Sequence, residues 1–137
     1  MTVSTTTTIK VLQPPGWAAP KGYANGVAAS GTQIFVAGQI GWNAQQQFES
    51  DDLVAQVRQA LANIVTVLAE AGAKPAHIVR MTWYLTDKRE YLMRAREIGS
   101  AYRDLIGSYT VAMSAVQVAA LIEDRALVEI EVTAVVP

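Results

Sequence analysis

The sequence predicts an α+β layer, a mixed sheet carrying both of its helices on one face. Two patterns predict it. Apolar side chains alternate with polar ones in His77 to Thr86 and in Ala126 to Val136, which is strand period, whereas Leu53 to Leu68 and Tyr91 to Leu105 keep apolar residues at helical spacing. The order is strands, helix, strand, helix, strands, with no repeat or linker to divide it. At 137 residues the chain is one domain, residues 1–137.

Taken in order, Gln13 to Lys21 carries three prolines and Gly16, which impose an irregular loop. Gly26 to Ser30 and Gln33 to Ile40 read as strands, and Ser30-Gly31-Thr32 between them is a hairpin signal. Gly38, Gly41 and the polar run Asn43 to Gln47 lead into the first helix. Ser50 is its expected N-cap, with Asp51 and Asp52 in the first turn and Gly72 as the stop. The strand from His77 to Thr86 sets Val79, Met81, Trp83 and Leu85 against Arg80, Thr82, Tyr84 and Thr86. Asp87 opens the second helix, with Glu90 three residues on as its capping-box partner, and Gly107 ends it. Met113 to Ala120 and Ala126 to Val136 are the last strands. In the final one Val128, Ile130 and Val132 point one way, and Glu129, Glu131 and Thr133 the other.

Both helices need the same sheet face, so the face carrying Arg80, Thr82, Tyr84, Glu129 and Glu131 has nothing from its own chain to cover it. Composition agrees: hydrophobic residues are 51% and charged ones only 17%, so the surface is short of charge for a monomer. Copies of the chain are the expected cover.

Composition also excludes chemistry. There is no cysteine, hence no disulfide, thiolate ligand or thiol nucleophile, and the single histidine, His77, cannot make a two-histidine metal site. No metal and no cofactor is expected. Ser114 has no base nearby in sequence, so a Ser/His nucleophile is not supported. A net charge of −1 gives no electrostatic reason for a nucleic-acid partner, and the mixed signs on the second helix (Arg89, Arg94, Arg96 and Arg103 beside Glu90, Glu97 and Asp104) read as a solvated face. Met1 to Ile9 is a threonine run without the apolar core of a signal peptide, and no stretch reaches the ~18–20 apolar residues of a membrane span. The expectation is a soluble, cytoplasmic protein with no membrane partner.

Six segments in order, from about Tyr23 to the C-terminus, resemble the YjgF/RidA (Rid) family. They are Gly22-Tyr23, Gly31 to Ile40 ending A-G-Q-I, Gln56 to Gly72, Ile78 to Asp87, Ser114 to Leu121 (S-A-V-Q-V-A-A-L) and Val128 to Val135 (V-E-I-E-V-T-A-V). The resemblance implies a chorismate-mutase-like mixed six-stranded sheet and a homotrimer. The three sheets form a central barrel, with small-molecule clefts between subunits. It also implies hydrolysis of reactive enamines and imines, with Glu129 matching the glutamate that holds the attacking water and Tyr23 an aromatic at the cleft mouth. Three positions depart from the pattern. The arginine that holds the substrate carboxylate is Met113 here, the hydroxyl residue before G-Q is Ala37, and a cysteine is Ala115. Loss of one charge-assisted contact costs about 1.5–3 kcal/mol, roughly 10- to 150-fold in affinity.

The expected site is therefore Glu129 as the water-handling residue, with Tyr23, Ala37, Gly38, Trp42, Arg80, Met113 and Ser114 around the substrate. Backbone amides near Gly38 would polarise it. Each residue has a structural alternative: an ion pair of Glu129 with a neighbouring arginine, a loop anchor at Tyr23, packing at Trp17 and Trp42. Arg80 could neutralise Glu129 or Glu131, or meet an acidic ligand; Arg125 reads as solvated. Three functions follow: an enamine/imine or aminomuconate-type deaminase, a non-catalytic ligand-binding trimer, and, least supported with one histidine, an RNA-cleaving translation inhibitor.

Overall fold

A computed structural model describes residues 9–107 and 110–137. Strands β1 (Ile9–Leu12), β2 (Gly26–Ala29) and β3 (Thr32–Ile40) precede helix α1 (Leu53–Glu70). Strand β4 (Ile78–Leu85), helices α2 (Lys88–Met93) and α3 (Ala95–Leu105), and strands β5 (Ala112–Gln117) and β6 (Val128–Val136) complete the chain. Four strands form one sheet in the order β3-β6-β4-β5, antiparallel except for the parallel β4–β5 pair, so the sheet is mixed as expected but has four strands in place of six. The other two form a separate antiparallel ribbon, β1-β2. It reaches the main sheet through a parallel bridge of Ala24 to Ala112 and the Ala24 N–H donated to the Val111 carbonyl at 2.8 Å.

The helices cover one face of the sheet, and the core lies beneath them. Leu53, Val57, Leu61, Ile64 and Leu68 of α1 and Ile98 and Tyr102 of α3 meet Met81, Trp83 and Leu85 of β4 and Val128, Ile130 and Val132 of β6. Burying each such side chain contributes about 1.5–3 kcal/mol. Alternation in β6 holds as expected. In β4 a register shift between Ile78 and Arg80 lets Ile78, 2% exposed, take the core position that alternation assigned to Val79, which is only half-buried.

Four further expectations are corrected. β2 and β3 do not form a hairpin: β2 pairs with β1 and β3 with β6. The cause lies at Gly31 (φ +141°), where a Cβ would fall 2.2 Å from the Val136 carbonyl, because the end of β6 runs directly against the turn. Strand β1 was absent from the sequence reading. The N-cap of α1 is Asp52, which accepts from the Ala55 N–H at 3.0 Å, while the Ser50 hydroxyl accepts from Asp52 N one turn earlier. The second helix is two, broken at Arg94. Asp87 caps α2 as expected, accepting from the Arg89 and Glu90 N–H groups.

One buried polar side chain ties the layers together. Gln56, 1% exposed, donates from Nε2 to the Ser50 and Arg125 carbonyls, both at 3.0 Å, and accepts the Leu127 N–H at 2.8 Å. Gly41 makes room for it, since a Cβ there would fall 2.5 Å from Gln56 Cβ. No described helix is long and apolar enough to cross a membrane.

Candidate functional site

Two recesses lie on opposite faces of the sheet, and the sequence-predicted residues divide between them. On the helix-free face, a recess of about 350 Å³ is lined by Phe35, Ala37, Arg80, Thr82, Glu131 and Thr133, among others. Phe35 is 71% exposed in its wall, an apolar ring on a face that the chain itself leaves bare. Tyr84 donates its hydroxyl to Glu131 Oε1 at 2.7 Å, and this bond to a carboxylate holds the phenol above its ordinary pKa. Glu131 is thus engaged by a tyrosine, and no ion pair joins Arg80 to Glu129 or Glu131 among the described residues.

Glu129 lies on that same face, opposite Tyr84 of β4 and Ile40 of β3. The β3–β6 register slips between Val36 and Gln39, so Ala37 and Gly38 bulge out of the ladder. The bulge is shaped around the acid: a Cβ on Gly38 would fall 2.7 Å from Glu129 Cδ and Oε2. Only glycine lets the backbone approach the carboxyl group this closely. Ser114 is exposed on this face too, level with Thr82.

On the other face a cavity of about 480 Å³ opens between β5, α3 and the loop at Lys21–Tyr23. Met113 and Ala115 line it, because they pair in register with Met81 and Trp83, whose side chains point under the helices. Tyr23, Trp83, Tyr91 and Tyr102 give it aromatic walls. Trp83 and Tyr91 meet edge to face, with centroids 6.1 Å apart at 71°. Burial pushes the Tyr91 phenol above its ordinary pKa, so it stays a neutral hydrogen-bond donor. The Trp83 Nε1–H is buried and has no hydrogen-bond partner among the described residues.

Sequence reasoning missed Arg96 and Arg103, which line this cavity and are not merely part of a solvated helix face. A signal existed: Arg96, Gly99 and Arg103 stand at i, i+3 and i+7, one side of a helix next to the stripe of Ile98 and Tyr102. Arg94 is used differently. It grips Glu97 with two bonds of 2.9 Å and reaches the α1 cap at Asp52, also at 2.9 Å. The Arg94 guanidinium depresses the pKa of both carboxylates.

The remaining candidates stand apart from both recesses. Trp42 packs on Phe48, with centroids 5.9 Å apart, and its carbonyl accepts from Asn63. Arg125, expected in solvent, donates two bonds to Asp51 and lies 5.4 Å from the Phe48 ring centre. Trp17 is exposed in its loop. His77 accepts the Lys74 N–H on Nδ1, 2.9 Å away, at the turn before β4. Within one chain, then, the Glu129–Gly38 pair and the cavity of Tyr23 and Met113 do not converge.

The chain is similar in sequence and fold to known proteins. Residues 16–136 match the family model described as endoribonuclease L-PSP. A RutC family protein of Synechocystis is 32% identical over 133 residues, 95% of this chain and 98% of that protein. A 2-iminobutanoate/2-iminopropanoate deaminase of Capra hircus is 33% identical over 103 residues, 74% of this chain and 72% of that one. A crystal structure of a Rid family protein of unknown function from Yersinia pestis superposes with a TM-score of 0.82 at 34% identity, covering 95% of this chain and all of the other.

Proposed function

The chain belongs to the endoribonuclease L-PSP family, the YjgF/Rid group, and from that membership we propose that it hydrolyses small enamines or imines in clefts shared between the subunits of a homotrimer. The observation that carries the proposal is the fit of Glu129 to Gly38, a carboxyl group held by a backbone bulge built to receive it. The separation of the two half-sites on opposite faces supports a shared cleft. A neighbouring copy is what would bring one chain's Glu129 to another's aromatic cavity. The deaminase from Capra hircus supports the reaction class.

In the proposed step the substrate reacts as its protonated iminium form, and Glu129 accepts a proton as water adds to the C=N carbon, giving a neutral carbinolamine. Glu129 then gives that proton to the nitrogen, the C–N bond breaks, and the hydroxyl proton leaves with the departing ammonia, so the products are a carbonyl compound and ammonium. One carboxyl group serves both transfers. Backbone amides near Gly38 polarise the substrate. Enzyme given amino-acid-derived and aminomuconate-type enamines releases ammonia, and Glu129→Gln abolishes the release. Equal rates from the two proteins would end the catalytic reading.

A second reading is a trimer that binds such compounds without turning them over. Its support is Met113 and Ala115 in the cavity wall where the family pattern has an arginine and a cysteine. Saturable binding with background ammonia release would favour it. RNA cleavage has less support: the one histidine, His77, lines neither recess and is tied to Lys74.

A further inference from the structure

The proposal of a substrate cavity between β5 and α3 leaves open what such a cavity selects, and on that reading its lining points to a ligand class. We propose that Arg96 on α3, with Lys21 at the cavity rim, takes over the grip on the substrate carboxylate that the family pattern gives to the position of Met113, and does so for ligands whose flat body fits the aromatic walls. The specificity determinant has moved from the strand to the helix.

Charge is the first argument. The described lining contains Lys21, Arg96 and Arg103 and no aspartate or glutamate, so cationic side chains border the recess. Arg96 forms no ion pair or hydrogen bond among the described residues, whereas Arg94, two positions earlier, is saturated by Asp52 and Glu97. A guanidinium without a partner beside an aromatic pocket is suited to a bidentate grip on a carboxylate.

Shape is the second argument. Four aromatic residues and Met113 enclose about 480 Å³, at the small end of ligand cavities, and flat walls favour flat ligands.

Calorimetric titration of the full-length protein with benzoate and with benzamide, the same ring with and without the charge, tests the proposal. Wild type binds benzoate at least about 10-fold more tightly than benzamide, and the preference shrinks as salt is raised. Arg96→Gln weakens benzoate about 10- to 150-fold and leaves benzamide unchanged, while Arg96→Lys keeps part of the preference. Arg89→Gln makes the same charge change on α2, outside the cavity, and retains wild-type binding. Benzoate bound equally by wild type and Arg96→Gln, or no preference for benzoate over benzamide, overturns the proposal. Failure of the catalytic reading looks different: Arg96-dependent binding persists while no enamine yields ammonia.

Discussion

At the residue scale, the smallest side chains set the largest constraints. Gly38 and Glu129 form one unit, because the space a Cβ would take is occupied by the carboxyl group. Gly38→Ala must push that acid aside, since its Cβ would fall 2.7 Å from the carboxyl group, and a misplacement of about 1 Å costs about 100-fold in rate. Steady-state ammonia release should fall accordingly, while circular dichroism shows the fold intact; unchanged turnover would separate Gly38 from the acid's role. Gln56 makes a stability prediction. Gln56→Leu leaves the Leu127 N–H and two carbonyls without partners, and urea denaturation should report a loss of about 1–3 kcal/mol. A variant as stable as wild type would mean that water fills in for the amide. Neither role was legible in the sequence, where Gln56 sits in an amphipathic helix and looks like any exposed polar residue. Its three partners are set by tertiary structure, two of them about 70 positions away.

At the element scale, strand phase was the legible quantity. Alternation in β6 separated its valines and isoleucine from its glutamates correctly, since one covered face imposes a period of two. Pairing was less legible. The Ser30-Gly31-Thr32 turn has hairpin chemistry, yet β6 takes the ladder position beside β3, and turn residues cannot announce a competitor about 100 positions downstream. Arg96 escaped because charges on the second helix were counted by sign and not placed by phase. The helix junction carries its own prediction. Asp52 caps α1 and also binds Arg94 at the α2–α3 break, so Asp52→Ala removes both contacts. The cap alone is worth about 0.5–2 kcal/mol. Asp52 and Glu97 both have folded-state pKa values below their ordinary ones. Their contribution is therefore complete above about pH 4.5, the ordinary value for glutamate, and is lost as pH falls through the depressed values. Thermal melts of Asp52→Ala should show a shallower loss of stability on acidification than wild type; parallel acid limbs would deny the linkage.

At the scale of the whole molecule, the open sheet face asks for cover. Phe35, at 71% exposure, stands beside Arg80 and Thr133 in a recess whose other side the chain does not supply. The proposed trimer supplies it. Phe35→Asp should sediment as a monomer and lose ammonia release, whereas Phe35→Leu keeps both assembly and activity; a trimeric, active Phe35→Asp would refute the interface. The sequence made the family and the uncovered face readable, since both follow from residues along one chain. Closure of the site was not readable residue by residue, because in the proposed trimer it depends on one chain's acid reaching another's cavity.

The ribbon of β1 and β2 touches the main sheet at Ala24, one position after the tyrosine at the cavity rim. That single amide, donated to Val111, is a natural reporter. When a guest fills the space beside Tyr23, the Ala24 proton should trade with heavy water more slowly, and its protection would register occupancy without any label on the guest.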